Sequence, residues 1–211
     1  QVPLELNEAS TGWILVSTCL VLLMTIPGLA LFYGGMVRHK NVINTVATSF
    51  AITALVTVLW MAVGYSIAFG TNANEGLNAY MGSFDALFLG GVTVETAHAL
   101  TSGLPEFLWI MFQLTFAIIT PALIAGAFAE RMKFSAMLLF MGLWSIFVYA
   151  PVCHWVWGGG FLGGAGVLDF AGGTVVHINA GVAGLVCAIV LGKRKGYGVD
   201  NMAPNNLVYT M

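Results

Sequence analysis

The stretch Asp169-Phe170-Ala171-Gly172-Gly173-Thr174-Val175-Val176-His177-Ile178-Asn179-Ala180-Gly181 decides the fold class, because it heads an apolar run that continues to Leu191. A run of that length reads as a membrane-crossing helix, with a titratable imidazole placed just inside it. Ionisable groups are costly in a bilayer, so such a residue faces a pathway or pairs with a neighbour. Positions 181, 184 and 188, which share the His177 face of a regular helix, are Gly, Gly and Ala. Residues that small let another helix, or a permeating molecule, come close. His177 is therefore open to two readings, interhelical glue or a residue of a solute path.

The rest of the chain puts this stretch in a membrane. Of 211 residues 59% are hydrophobic and only 8% charged, with a mean hydropathy of +0.90. Soluble domains carry about a quarter charged residues, so a water-soluble domain is excluded. The net charge of -2 gives no sign of a nucleic-acid partner. Cys19, Cys153 and Cys187 are an odd set with no CxxC pair, which argues against a disulfide framework or a zinc site. The chain begins at Gln1 without Met, which fits a removed signal peptide or a trimmed chain.

Five segments read as crossings, at about 12–37, 44–70, 104–129, 134–154 and 174–192, within one transmembrane domain over 1–211. Pro27-Gly28 suggests a bend in the first, and Pro121 and Pro151 raise the same expectation in the third and fourth. All seven basic residues fall on one side: Arg38 and Lys40, Arg131 and Lys133, then Lys193, Arg194 and Lys195. Glu5, Glu8, Glu75, Asp85, Glu95 and Asp169 fall on the other, with no Lys or Arg among them. The positive-inside rule then expects the N-terminus outside. Between about 71 and 103 a long outer connection carries an apolar piece at 84–89, too short to span and read as interfacial. Residues 207–211 look like a sixth crossing cut off at its start, so a fragment is expected.

Asp169 lies just before the fifth crossing, where a carboxylate can accept backbone N–H bonds and complement the helix dipole. That makes it support for an outer site rather than a direct ligand. Trp155 and Trp157 close the fourth crossing, and Phe112 and Phe116 stand one turn apart in the third. Trp favours membrane interfaces and Phe fills bundles; the sharper reading is a ring set that holds a small cation. Gly158-Gly159-Gly160-Phe161-Leu162-Gly163 fits G-x-G-x-x-G, but no soluble strand precedes it. His154, exposed His98 and His39 lack the partners of a metal site. No metal and no cofactor are expected.

Several motifs together resemble the ammonium transporter family (Amt/Mep/Rh). They are the stretch 169–181 running on to Gly192-Lys193-Arg194, Phe32-Tyr33-Gly34-Gly35-Met36-Val37-Arg38-His39-Lys40-Asn41, Phe112-Gln113-Leu114-Thr115-Phe116-Ala117, Ala129-Glu130-Arg131-Met132, and His154-Trp155-Val156-Trp157-Gly158-Gly159-Gly160. The resemblance covers the chain in order. It implies an all-α membrane protein and the first five-helix half of an inverted-repeat, eleven-helix fold, assembled as a homotrimer with one pore per subunit. It implies that Trp157 belongs to an outer ammonium site, Phe116 to a phenylalanine gate with Phe112 beside it, and His177 to a pair of pore histidines. Asp169 becomes the acid that holds the outer site together. Trp157 favours the Amt/Mep branch, because Rh-type members generally lack an aromatic there.

The function implied is passage of ammonium or ammonia, with methylammonium as a surrogate, in the lipid of the cell (inner) membrane. An ion of that size meets a barrier on the order of 20 kcal/mol in an idealised low-dielectric medium, and shedding a proton removes most of it. The runner-up is an ammonium sensor coupled to a cytosolic signalling domain, and the third reading is a scaffold with no solute path. The family also implies a cytosolic PII-type regulator. It implies no enzyme.

Overall fold

The computed structural model describes residues 1–211. Five helices are long and apolar enough to cross a membrane: Glu8–Met36, His39–Phe69, Glu106–Phe128, Phe134–Gly164 and Gly173–Leu191. The third is the hub, with 61% of its most apolar stretch buried against 11% in the first helix and 22% in the fifth. The first, second and fifth helices all pack on it. The first and fifth helices leave most of their apolar surface uncovered. Trp13, Leu15, Val16 and Leu20 are exposed on the first, and Val182, Leu185, Val186, Ile189 and Val190 on the fifth.

Helix forms here even where local propensity argues against it. Residues Val42–Leu59 are rich in Val, Ile and Thr, which favour strands, yet they form an unbroken helix. In a bilayer every backbone polar group must be satisfied within its own segment, and a single helix does this. The hydroxyls follow the same rule: Thr45, Thr48, Thr53 and Thr57 each donate to the carbonyl four residues earlier, at 2.7–2.9 Å.

Four of the five helices contain a π-helical turn, at Met24–Leu29, Trp60–Gly64, Ser145–Tyr149 and Gly173–Ile178. Such turns often mark functional sites. The three prolines behave differently from one another. Pro27 sits at a true break, with Ile26 at φ -130°, ψ 109°. Pro121 lies buried within the continuous helix Glu106–Phe128. Pro151 lies two residues after the π turn Ser145–Tyr149, at the start of the regular segment Ala150–Val156.

Short contacts tie the ends of these helices together. Val2–Pro3 pairs antiparallel with Thr96–Ala97, which fastens the N-terminal segment to the connection between the second and third helices. At the other end Glu130 joins three connections. It accepts from the Arg38 backbone N at 3.0 Å, Arg38 Nε at 3.1 Å, Asn41 Nδ2 at 2.7 Å and Arg194 Nη1 at 3.2 Å. The Glu130 side chain is 1% exposed, and its backbone takes a left-handed φ of 64°, uncommon for any residue but Gly. Leu207–Thr210, capped by the Asn206 side chain, packs against Ala30–Met36. There Gly35 is required, because a Cβ would collide with Thr210.

Candidate functional site

The site begins where the fourth helix ends. After Val156 the chain turns through Trp157–Gly160, and a Cβ at Gly158 would collide with Ala68 O and His154 Nδ1. Glycine there lets the turn lie directly on the end of the second helix. The turn directs the Trp157 indole so that Nε1 donates to Asp169 O at 2.8 Å. The Asp169 carboxylate faces the other way along the chain. Its Oδ2 accepts from Thr174 N at 2.8 Å and Val175 N at 2.9 Å, two of the donors that open the fifth helix.

Gly172 makes this cap possible. It adopts φ 81°, ψ 20°, a left-handed conformation that costs a glycine nothing, and a Cβ there would press into the Val176 side chain. Its carbonyl receives Val176 N at 3.0 Å and His177 N at 2.9 Å. Asp169 thus supports the indole through its main chain and the helix through its side chain. Its second oxygen, Oδ1, is sealed from solvent and has no partner.

Three aromatic rings cluster at this point. Phe116 stands edge-on to Trp157 at 5.8 Å and 71°, and Phe112 edge-on to Phe116 at 5.0 Å and 86°. Edge-to-face pairs of this kind contribute about 0.5–1.5 kcal/mol each beyond area burial. All three rings are half-buried. Each keeps part of its surface open, as a ring that meets a solute must. Trp157, Phe116, Phe112 and Asp169 therefore form one connected set.

His177 is placed apart from these rings, on the same helix head that Asp169 caps. Its ring is exposed, as is the neighbouring Ile178. A regular helix is the expectation from the sequence, but residues 173–178 make a π turn, and regular α geometry starts only at Asn179. The wider turn shifts His177 relative to Gly181, Gly184 and Ala188, so the simple face count does not hold across the junction.

One histidine differs from the sequence reading, and a second makes contacts that the reading did not assign. His98, expected to be exposed, is half-buried: Nε2 meets Phe69 O at 3.0 Å, Nδ1 accepts from Leu100 N at 3.2 Å, and the ring stacks on Trp109. Burial pushes its imidazole below the ordinary value, against the Phe69 hydrogen bond and the Glu106 charge, which push upward. Nothing local marks it, because its partners are far away in sequence. His154, passed over for lack of metal partners, is fully buried. The available signal was its place three residues before Trp157 and four before a glycine triplet.

Residues 12–211 match the Ammonium Transporter Family. The chain belongs to this family. It is 52% identical over 207 residues to an ammonium transporter of Aquifex aeolicus, covering 96% of this chain and 46% of that protein. Among solved structures it resembles Candida albicans Mep2, with a TM-score of 0.84 at 31% identity over 98% of this chain and 45% of the other. A sensor Amt protein is similar too, with a TM-score of 0.80 at 26% identity over 94% of this chain and 49% of the other. The chain spans about half the length of the curated relatives it matches. This family member is an integral membrane protein, all-helical, with half of the ammonium transporter fold.

Proposed function

We propose that this ammonium transporter family member forms the outer recruitment site and the upper pathway of an ammonium-conducting unit. The observation that carries the reading is the connected set of Trp157, Phe116 and Phe112 suspended from Asp169. Names of relatives support the substrate, since the Aquifex aeolicus protein is called an ammonium transporter.

Ammonium carries its charge on a small, strongly hydrated centre. The face of Trp157 offers quadrupole attraction worth about 2 kcal/mol once water is removed. Asp169 and the other outer acids supply a negative field without a basic residue to oppose it. Past Phe116 the path is apolar, and an intact ion meets the desolvation barrier described above. A proton must leave before the molecule moves on. Ammonia then passes towards His177, whose exposed ring can donate to it or accept from it. Potassium has no proton to lose and is held back.

In this reading the basic ends of the helices lie in the cytosol, the N-terminus outside and the chain in the cell (inner) membrane, with three subunits per assembly and a PII-type protein as cytosolic regulator. The single domain over 1–211 works together with the remainder of a longer transporter. Trp157 and Phe116 act as substrate-binding residues and His177 as a pore residue, with Phe112 lining the approach and Asp169 as support.

The test is uptake of methylammonium by the full-length protein in cells lacking other ammonium carriers. His177→Ala and Trp157→Leu are expected to lower uptake or to admit potassium. Unchanged rate and ion selectivity in both variants would overturn the proposal. A second reading, an ammonium sensor, is favoured by the likeness to a sensor Amt protein, and ammonium binding without flux in the same full-length protein would select it.

A further inference from the structure

The geometry points to His154 as a double hydrogen-bond donor, a charged keystone that pins the outer end of the fourth helix to the outer connection and so positions Trp157. Only the last clause rests on the proposed role of Trp157. His154 is 0% exposed. Its Nδ1 lies 3.0 Å from Ala68 O and its Nε2 2.7 Å from Asn78 O. Carbonyl oxygens only accept, and a neutral imidazole has one N–H and one lone pair. Either neutral tautomer would press a lone pair against a carbonyl oxygen. With a proton on both nitrogens, both contacts become hydrogen bonds, and charge-assisted ones.

The surroundings suit a cation. Ala68 lies in the last turn of the helical segment Tyr65–Phe69, Asn78 is the last residue of the short helix Glu75–Asn78, and His154 itself sits in the last turn of Ala150–Val156. Carbonyls at helix C-termini lack intrahelical partners and carry negative partial charge. No carboxylate is within ion-pair distance of the ring, so these carbonyls take the place of a counter-ion, and the outer face has no Lys or Arg to repel the charge.

The neighbours of His154 complete a strap. Asn78, Ala79 and Tyr80 each offer a carbonyl, taken in turn by His154 Nε2, Phe161 N at 2.9 Å and Trp155 Nε1 at 2.7 Å. The segment from His154 to Phe161 thus reads three successive carbonyls of the outer connection. Gly158 and Gly160 permit the approach, since a Cβ at either would collide with His154 or the backbone beside it. Trp157 lies inside the strap, one helical turn after His154, and its orientation follows from the strap's.

The test uses native full-length protein in lipid nanodiscs, labelled with 15N at histidine, with the His154 signals assigned by their loss in His154→Gln. At pH 7 both ring nitrogens are expected to give N–H signals that exchange slowly with deuterium. One N–H and one bare nitrogen, in either tautomer, would overturn the double-donor assignment. Hydrogen exchange supplies a readout separate from transport. His154→Gln carries its donors on a single nitrogen, and is expected to speed exchange at the Phe161 amide by about tenfold, with the third helix unchanged. Equal exchange in variant and wild type would overturn the keystone role. A rise confined to the strap with uptake unaffected would support the keystone and count against Trp157 as the outer site.

Discussion

Two carboxylates sit at opposite ends of this helical bundle and are treated in opposite ways. Glu130, at the end with all the basic residues, is bound by two guanidinium groups and an amide. Asp169, at the other end, has two backbone N–H groups and no cation. The charge of Glu130 is spent on holding three connections together. That of Asp169 meets backbone dipoles alone, and in the proposed function its field draws a cation to the mouth. One end of the molecule is built as a neutralised clamp, and the other as a field.

The comparison predicts different failures. Removing Glu130 leaves Arg38 and Arg194 clustered without their counter-ion, and loss of one partner of a buried pair costs about 3–5 kcal/mol. Glu130→Ala is therefore expected to give the largest loss of thermal stability, measured by unfolding of the full-length protein in detergent. Asp169→Asn keeps an acceptor oxygen for the helix cap, and is expected to cost about 1–2 kcal/mol while lowering uptake more than stability. If the two variants lost equal stability, the contrast between clamp and field would be wrong.

Acid separates the two ends as well. Burial alone would raise the Glu130 carboxyl, but hydrogen bonds from Asn41 and Arg38, with the Arg38 charge, bring it down to about 2 from its ordinary 4.5. A depressed carboxylate contributes stability that is fully present above its unfolded value and is lost as pH falls through the folded one. Acid unfolding is therefore expected to steepen between pH 4.5 and about 2. Glu130→Ala should remove that limb of the curve, and persistence of the limb would assign it to another group.

The smallest effect is expected at Phe112, one helical turn before Phe116 in the third helix. Phe112→Leu gives up one edge-to-face pair, about 0.5–1.5 kcal/mol, and should shift the half-saturation concentration for methylammonium by less than Trp157→Leu does. A larger shift at Phe112 would move the recruiting surface away from Trp157.

Much of this was legible in the sequence, and the reason lies in scale. Hydropathy works over whole segments, so the helical class, the five long apolar helices and the family were all readable from composition and motif. Asp169 before an apolar run is a local pattern, and Pro27-Gly28 another. Glu130 is different. It meets Arg38 across 92 positions and Arg194 across 64, and no spacing in the chain announces either contact. His154 fails for the same reason, since its acceptors lie 86 and 76 residues away. His98 looked exposed because its neighbours in sequence are polar or small, while Phe69 and Trp109, which cover it, come from other elements. The π turns escaped as well, because side-chain pattern fixes which face is apolar and says little about a single widened turn.

The central claim is that the outer end, with Trp157 held by the main chain of an aspartate that no cation neutralises, is where the permeating ion is captured. It is tested most directly by the concentration dependence of methylammonium uptake in proteoliposomes holding full-length wild type or Trp157→Leu. Loss of a desolvated cation–π contact of about 2 kcal/mol predicts a half-saturation concentration raised by about thirtyfold, in a variant whose thermal unfolding confirms that it is still folded. An unaltered half-saturation concentration in a stable variant would contradict the account.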